Sequence, residues 1–457
     1  MPMSPSLGID RPSKLVQSAA MPSRASTSRT GLSTILGNLA WLLGGKGFGA
    51  VCSIVYLAVL SRSLGIKDFG HFSLIFGTGQ ALVAIAGFQT WQTMVRFGAQ
   101  AVHEQNWQRF GRLAWFCGAI DAGGALLGSL VAYIIYFGFA ELLELNERYV
   151  AMAFAFNCAL LWARVTTPIG IVRVLGRFDI ATYVEAIVPT GRLLAAFGIM
   201  FAGANVGRFL AAWAAIELIS AAAYWIAAWR LAPQAMRKEH FGTFGKAMRE
   251  NPGVGRFFGI TYASSTLDAL YKQGPLLAVG YFLGTSAAGV YRLADQLAQG
   301  FGKLSQLLSR AIYPEFAHAR VAADIGDFRK LVSQVTVIAG VGGVTVTLAA
   351  LAFGEDLLGL IGGEDFARGG VVLIPLAIGA AFDLASASYE PVLHSTGRPS
   401  YPLIARSLAA VVLIASIVAF AGFGPVGIGW AVALGMACSY LAMSFAVFVV
   451  LRRDRAA

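Results

Sequence analysis

The chain has 457 residues, of which 57% are hydrophobic and only 13% are charged, whereas an ordinary soluble domain is about one quarter charged. This composition excludes a soluble enzyme and predicts an all-α polytopic membrane protein. The net charge of +11 does not indicate a nucleic-acid partner, because the basic residues are spread over many short loops. The cysteines lie inside apolar runs without metal-ligand spacing, so we expect neither a metal site nor a cofactor: Cys52, Cys117, Cys158 and Cys438.

Residues 1–32 differ from the rest of the chain. They are rich in Ser, Pro and Ala, carry four basic residues, and contain no apolar core of signal-peptide length. We therefore expect a disordered cytoplasmic tail that is retained in the protein.

The remaining sequence consists of apolar runs that each approach the roughly 20 residues a helix needs to cross a bilayer. Reading these runs predicts about twelve transmembrane helices, and an even number places both termini on one side of the membrane. The predicted spans are 33–60, 71–90, 113–138, 150–171, 181–202, 206–229, 256–283, 288–309, 329–352, 369–390, 402–422 and 426–450.

The basic residues predict the orientation of these spans. With the N-terminus in the cytoplasm, the cytoplasmic segments hold 24 Lys and Arg residues and the opposite loops hold 5. Such a bias is typical of the side that is not translocated. We therefore expect both termini to be cytoplasmic in a bacterial inner membrane.

Two stretches half a chain apart share a pattern. Residues 64–74 (LGIKDFGHFSL) and 283–293 (LGTSAAGVYRL) both fit LG-x4-G-x-[Phe/Tyr]-x-Leu, at an offset of 219 residues. A second pair, GRFD (176–179) and GRPS (397–400), has an offset of 221. Because six helices separate the copies, they predict a parallel repeat of two six-helix bundles around a central cavity. The predicted division is a bundle at 33–230, a cytoplasmic linker at 231–255 and a bundle at 256–457.

Several segments resemble a known family of exporters. The resemblance is carried by LSRSLGIKDFGHFSLIFG (60–77), GVYRLADQL (289–297), YPEFA (313–317), FGEDLLGLIGGEDFARGGVVLIPLAIG (353–379) and LHSTGRPSY (393–401). These segments are similar to polysaccharide transporters, including Wzx-type flippases, of the multidrug/oligosaccharidyl-lipid/polysaccharide (MOP) exporter superfamily. The resemblance covers roughly residues 33–450. It implies alternating-access transport of a polyprenyl-diphosphate-linked oligosaccharide, with membrane lipids and the polysaccharide polymerase machinery as further candidate partners.

Four basic residues lie deep in the predicted helices: Lys46, Arg192, Lys272 and Arg292. A diphosphate cannot cross hydrocarbon bare, and cations in a cavity would replace its hydration shell, so these four are the candidate substrate-binding residues. For Lys46, among four glycines, we favour a cavity-facing cation over a buried ion pair. Arg192 has Glu185 seven residues earlier on the same helix face. Arg292 either meets the diphosphate or pairs locally with Asp295, and both alternatives stay open.

The candidate ion-coupling residues are Asp268, Asp295 and Asp383. Asp268 and Lys272 lie one turn apart, so they form either a mutual salt bridge or a pair that opens when substrate or a proton binds. Arg164 and Lys303 lie nearer the helix ends and are expected to extend toward the membrane surface. Glu217 and Asp121 are further possible partners for the deep cations, and the sequence alone does not pair them.

Two other functions are compatible with parts of the sequence. A cation-coupled multidrug antiporter of the same superfamily would share the fold, but the deep basic residues favour an anionic substrate. A membrane enzyme such as a sugar polymerase would need an ordered site on a long outer loop, whereas the longest outer loops here have about 15 residues. The sequence therefore predicts a flippase rather than an enzyme.

Overall fold

A computed structural model describes residues 31–139, 145–164, 166–322, 325–395 and 400–453. Within these ranges it describes side chains at 49–300, at Lys303, at 332–393 and at 400–450. The described residues form helices and turns with no strand, so the all-α prediction is confirmed. The predicted tail and the side chain of Lys46 lie outside the described residues.

Fifteen α-helices follow one another along the described chain. Their bounds are α1 Gly31–Ala86, α2 Thr90–His103, α3 Trp107–Tyr133, α4 Glu147–Ala163, α5 Thr167–Val174, α6 Phe178–Ala202, α7 Val206–Leu231, α8 Phe244–Glu250, α9 Val254–Ala322, α10 Ile325–Gly362, α11 Glu364–Ala367, α12 Gly370–Ala385, α13 Tyr389–Ser395, α14 Ser400–Phe420 and α15 Gly424–Arg453. A π-helical turn, Ile134–Gly138, extends α3.

Nine stretches of the described chain are apolar and long enough to cross a membrane. Three of them, Gly49–His103, Val254–Gly300 and Ser400–Val450, contain a chain reversal and so supply two crossings each. Twelve crossing segments result within the described ranges, as the apolar runs predict. The predicted fourth span, 150–171, lies within the stretch Glu147–Val174, which contains α4 and the short helix α5.

The reversals inside α1 and α9 occur at the two copies of the repeated motif. Gly65 (φ 70°, ψ 174°) and Gly284 (φ 83°, ψ 179°) have the same backbone conformation, in a region that disfavours residues with a Cβ. Gly203 and Gly424, 221 residues apart, also have positive φ, each between the last two long helices of its half. The backbone therefore repeats as the sequence predicts. The GRPS partner of GRFD lies outside the described residues.

We call α1–α7 the N-terminal half and α9–α15 the C-terminal half. The end that carries the Gly65 and Gly284 reversals is the Gly65 end. The other end carries the connector, residues 232–253 between α7 and α9, and is the connector end. Which end faces the cytoplasm stays a prediction, as do the exact boundaries of the two bundles.

The two motif copies pack directly on one another. A Cβ at Gly70 would lie 1.9 Å from the carbonyl oxygen of Thr285, and a Cβ at Gly289 would lie 2.6 Å from that of Ile66. Ile66 and Thr285 occupy equivalent positions in the repeat, so the contact is reciprocal. Only glycine at Gly70 and Gly289 allows the backbones to approach this closely.

Further contacts close the Gly65 end. The Arg62 side chain of α1 donates to the carbonyl oxygens of Leu360 and Ile361, with an Nε–O distance of 3.2 Å to Ile361. These carbonyls end α10, where unpaired oxygens and the helix dipole favour a cation. The rings of Phe69 and Phe366 also meet edge to face with centroids 5.6 Å apart. Each contact joins the two halves, so this end is shut.

Candidate functional site

The first charged cluster lies inside the N-terminal half. Arg192 Nη2 on α6 lies 2.7 Å from Glu217 Oε1 on α7, and both side chains are more than 90% buried. Arg164, just after α4, binds the same carboxylate at 3.2 Å. Two guanidinium groups therefore share one carboxylate. The possible partner Glu185 is not used by Arg192, because it pairs with Arg173 at 3.0 Å.

Arg192 is buried because of its position on α6. The buried residues of this helix are Ala181, Val184, Arg192 and Ala196, which follow the three- to four-residue spacing of one helix face. The cation therefore lies on the face that packs into the bundle. Its Nε is buried without a hydrogen-bond partner among the described residues, so the guanidinium has an unused donor.

The second cluster lies on α9, beyond the Gly284 reversal. Arg292 Nη1 lies 3.7 Å from Asp295 Oδ2, and Gln299 donates to that carboxylate at 2.7 Å. With the Gln296 amide oriented so that its oxygen faces Arg292, this oxygen accepts from Nη2 at 2.7 Å. Arg292 therefore has the local pairing that its spacing to Asp295 indicates, although the ion pair is long.

One aromatic ring connects the two clusters. Arg192 Cζ lies 5.2 Å from the centroid of Phe76, and Arg292 Cζ lies 5.8 Å from the same centroid. Both distances are typical of cation–π contacts. Phe76 follows Gly65 by eleven residues of helix, or about 16 Å, which is near the middle of a hydrocarbon layer about 30 Å thick. An arginine from each half therefore contacts the Phe76 ring, at about the middle of the membrane.

The charges around Phe76 do not cancel. Three guanidinium groups, those of Arg164, Arg192 and Arg292, face the two carboxylates of Glu217 and Asp295. Among these five described groups there is one positive charge in excess. The Arg164 side chain is 42% exposed, so water screens part of this excess, and the rest is costly unless an anion compensates it.

A third cluster lies in the C-terminal half and does not contain the mutual salt bridge that was one alternative for Asp268. Asp268 does not pair with Lys272; it binds Arg406 Nη1 of α14 at 3.2 Å. The other Arg406 nitrogen, Nη2, lies 2.9 Å from Glu390 of α13. Lys272 is exposed and has no ion pair among the described residues. The basic-residue pattern assigned Arg406 to a cytoplasmic segment. Its pairing with Asp268 could not be predicted, because 138 residues separate the two.

Two other carboxylates that the sequence predicted as candidates are Asp121 and Asp383. Asp121 on α3 is buried, and its partners are the hydroxyls of Thr90 and Thr167 and the backbone N–H groups of Thr166 and Thr167 at 2.7–3.0 Å. It therefore caps the start of α5 rather than pairing with a deep cation. Asp383 is half-buried on α12, and its backbone carbonyl accepts from the Ser386 hydroxyl at 2.9 Å.

The remaining predicted basic residues are Lys303 and Lys46. Lys303, on α9, is exposed, which fits the expectation that its side chain extends toward the surface. The backbone of Lys46 lies in the first limb of α1, before the Gly65 reversal. Its side chain lies outside the described residues, so its direction stays a prediction.

Comparison with known proteins places this arrangement in a family. The sequence profile of the polysaccharide biosynthesis protein family matches residues 35–319, which is more than half of the chain. The chain belongs to the polysaccharide biosynthesis protein family. The predicted resemblance is therefore confirmed, and membership supports a flippase or transporter role in general terms.

One relative and two solved structures are informative. The "Inner membrane protein YghQ" of Escherichia coli (strain K12) is 25% identical over 342 residues, which covers 73% of this chain and 94% of that protein. The inward-facing conformation of a multidrug resistance MATE family transporter of the MOP superfamily aligns with a TM-score of 0.70 at 12% identity, covering 88% of this chain and 95% of that one.

The inward closed conformation of the lipid II flippase MurJ aligns with a TM-score of 0.65 at 12% identity, covering 88% of this chain and 86% of that one. At such identities the likeness establishes the twelve-helix MOP fold. Together with the relative and the membrane-spanning helices, it supports a multi-pass inner-membrane protein.

Proposed function

We propose that the chain is an inner-membrane flippase for a polyprenyl-diphosphate-linked oligosaccharide, such as an O-antigen, capsule or exopolysaccharide repeat unit. It would move this lipid from the cytoplasmic to the periplasmic leaflet by alternating access. The observation that carries the proposal is the midplane ring of Phe76, which meets an arginine from each half. Family membership supplies the polysaccharide context.

A diphosphate suits this arrangement chemically. It carries about two negative charges and several acceptor oxygens, and guanidinium groups bind such oxygens in pairs. The excess positive charge and the free Nε of Arg192 would be satisfied by the substrate. The Arg292–Asp295 contact of 3.7 Å is long enough that phosphate oxygens would replace it. We assign Lys46 and Lys272 as further cations of the same path.

The proposed cycle starts from the conformation described here. Contacts between the halves shut the Gly65 end, which the basic-residue bias predicts to be periplasmic, so the substrate would enter from the connector end. Arg192 and Arg292 belong to different halves, so a rocking motion would change their separation and release the diphosphate. A membrane potential that is negative inside would assist outward movement of the anion.

Ion coupling is assigned to Asp268, Asp295 and Asp383. Asp268 is the leading candidate, because its side chain is half exposed and shares Arg406 with Glu390. A proton or cation arriving from solvent would compete with Arg406 for these carboxylates. The polysaccharide polymerase machinery is the proposed partner that receives the flipped lipid.

The test is a chromosomal deletion complemented with Arg292→Gln or Arg192→Gln. We expect the deletion and both variants to accumulate the complete lipid-linked unit on the cytoplasmic leaflet, at wild-type protein level in the membrane. Arg368→Gln is the matched control, because Arg368 is an exposed arginine at the Gly65 end. Normal glycan export in both variants would refute the cationic site.

The multidrug antiporter remains the second candidate. The half-exposed carboxylates Asp268 and Glu390 favour it, because they could hold an organic cation if Arg406 moved away. An unchanged pool of lipid-linked sugar in the deletion, together with altered drug resistance, would select the antiporter over the flippase.

A further inference from the structure

The connector is folded and fixed to the N-terminal half. Glu250 binds Arg112 of α3 through two hydrogen bonds of 2.6 and 3.0 Å, and its backbone carbonyl accepts from Arg109 at 2.9 Å. The Phe241 ring lies 5.4 Å from Trp115, and the Phe244 ring lies 6.3 Å from Phe116. Polar and aromatic contacts to α3 therefore hold the connector in one position.

This position brings apolar side chains to the depth of the lipid boundary. Trp115 lies eight residues into α3, or about 12 Å along the helix, and Phe241 reaches this level. Despite its contact with Trp115, Phe241 is 63% exposed, and Met248 on α8 is 50% exposed. Ala247 of α8 is buried, so the helix turns its other side outward. Exposed aromatic residues at this level are typical of a membrane interface.

The segment that contains Phe241 and Met248 is strongly basic. Six basic side chains are exposed and form no ion pair among the described residues, and we call them the basic platform: Arg230, Arg237, Lys238, Lys246, Arg249 and Arg256. Of the two acidic residues in the connector, Glu250 is neutralised by Arg112. Glu239 alone is left to oppose six positive charges within this segment.

We propose that the basic platform binds the headgroups of anionic phospholipids while Phe241 and Met248 insert among the acyl chains. Lys and Arg beside an apolar surface is the combination that peripheral membrane helices use on anionic bilayers. A nucleic acid or an acidic protein would use the charges but leave Phe241 and Met248 in water. The inference does not depend on the transported substrate.

The platform also has a consequence for transport geometry. The connector that carries it is attached to α3 in the N-terminal half. The last residue of the platform, Arg256, lies in the first turn of α9 in the C-terminal half. Headgroups bound across it would hold the connector end at a fixed depth while the halves move. Anionic lipid should therefore stabilise the whole protein rather than one helix.

The test uses the full-length purified protein in nanodiscs of phosphatidylcholine alone or with phosphatidylglycerol, and measures Tm by tryptophan fluorescence. We expect phosphatidylglycerol to raise the Tm of the wild type. The shift should be lost in Lys238→Gln/Lys246→Gln/Arg249→Gln and should shrink at high salt for the wild type. Inorganic phosphate added to phosphatidylcholine nanodiscs should not reproduce it.

The matched control is Lys67→Gln/Arg368→Gln, which removes exposed charge at the Gly65 end. It should keep the full lipid-dependent shift. Phe241→Ser, which keeps every charge, should reduce the number of phosphatidylglycerol molecules retained in native mass spectrometry. A triple variant that keeps the wild-type shift, or a wild type with equal Tm in both lipids, would overturn the proposal.

Discussion

The two halves of the molecule repeat each other in backbone but not in charge. Gly65 and Gly284 adopt the same conformation, and Gly70 and Gly289 make reciprocal contacts. In contrast, the N-terminal half places two arginines on the single carboxylate of Glu217, whereas the C-terminal half places two carboxylates on the single Arg406. One triad is mostly buried with a positive excess, and the other is half-exposed with a negative excess.

Under the proposed function, this difference would let a duplicated scaffold serve two tasks. The two halves need the same backbone conformation so that their motif copies can pack on each other at the Gly65 end. An anionic cargo and a coupling cation require charges of opposite sign, and a membrane interior tolerates each only near a compensating group. Under the proposed function, the positive excess of the N-terminal half would face the anionic lipid together with Arg292, and the negative excess of the C-terminal half would hold the coupling cation.

The largest expected effect comes from breaking the buried triad of the N-terminal half. Glu217→Gln leaves Arg192 buried without its carboxylate, and loss of one partner from a buried pair costs about 3–5 kcal/mol. We expect a large drop in Tm in detergent. Glu185→Gln is the control, because its partner Arg173 lies in a more exposed pair, and the cost there should stay within about 1 kcal/mol.

A double variant separates charge from shape at this triad. Arg192→Met/Glu217→Gln removes the stranded cation, so it should recover part of the Tm lost in Glu217→Gln. If Glu217→Gln melts at the wild-type temperature, the triad does not carry a buried excess and the contrast between the halves fails.

The next effect concerns the glycine contact between the two motif copies, where the halves meet at the Gly65 end. Gly70→Ala puts a Cβ 1.9 Å from the Thr285 carbonyl oxygen, and Gly289→Ala puts one 2.6 Å from that of Ile66, so the first should be worse. Forced overpacking typically costs about 1–3 kcal/mol, and here the backbones must part. In a Thr285→Cys background, we expect Gly70→Ala to raise labelling by a membrane-impermeant maleimide.

Gly198→Ala is the control for this glycine contact, because a Cβ there has open space around it. It should leave the labelling of the buried Thr285→Cys position unchanged. Equal labelling in the parent, Gly70→Ala and Gly198→Ala would mean that the glycine contact does not close the Gly65 end.

A smaller effect is expected in the C-terminal half. Arg406→Gln removes the shared cation from Asp268 and Glu390, but these side chains are 50% and 38% exposed, so water limits the loss to about 1 kcal/mol. The exposed Lys272, one turn from Asp268, can then take over as its partner. Lys272→Gln alone should be silent, but it should cost stability in the Arg406→Gln background.

A double-mutant cycle on the melting temperature measures this exchange. A positive coupling between Arg406 and Lys272 would show that both serve the same carboxylate. Strict additivity of the two substitutions would contradict it and leave Arg406 as a purely structural link among α9, α13 and α14.

Sequence reasoning predicted the features of this protein that are local. Apolar runs gave the twelve crossings, and the LG-x4-G motif located both reversals, because hydropathy and glycine conformation act over one helix or one turn. Local pairing of Arg292 with Asp295 was one of two alternatives that the sequence left open, because three residues separate them. The positive φ at Gly203 and Gly424 could also have been found by searching at the same offset.

Contacts between residues far apart in the sequence were not predictable in this way. The Arg62 contact to Ile361 spans 299 residues and the Arg406–Asp268 pair spans 138, and helix spacing says nothing about such distances. The local rule instead favoured Asp268 with Lys272, which tertiary packing overrides. Charge composition selected candidate residues, whereas only the packed bundle shows which of them meet.

The last prediction tests the ring that lies between the N-terminal triad and Arg292 of the C-terminal half. Phe76→Leu keeps an apolar core residue but removes the ring that both Arg192 and Arg292 contact, at 5.2 and 5.8 Å. A desolvated cation–π contact is worth about 2 kcal/mol, and Phe76, Arg192 and Arg292 are all buried, so the Tm should fall measurably. Export of the lipid-linked unit should fall severalfold, because the two arginines lose the surface that sets their relative position. Phe76→Tyr, which retains the ring, should restore export; if Leu exports as well as Tyr, Phe76 is only a packing residue and the link between the halves at the midplane must lie elsewhere.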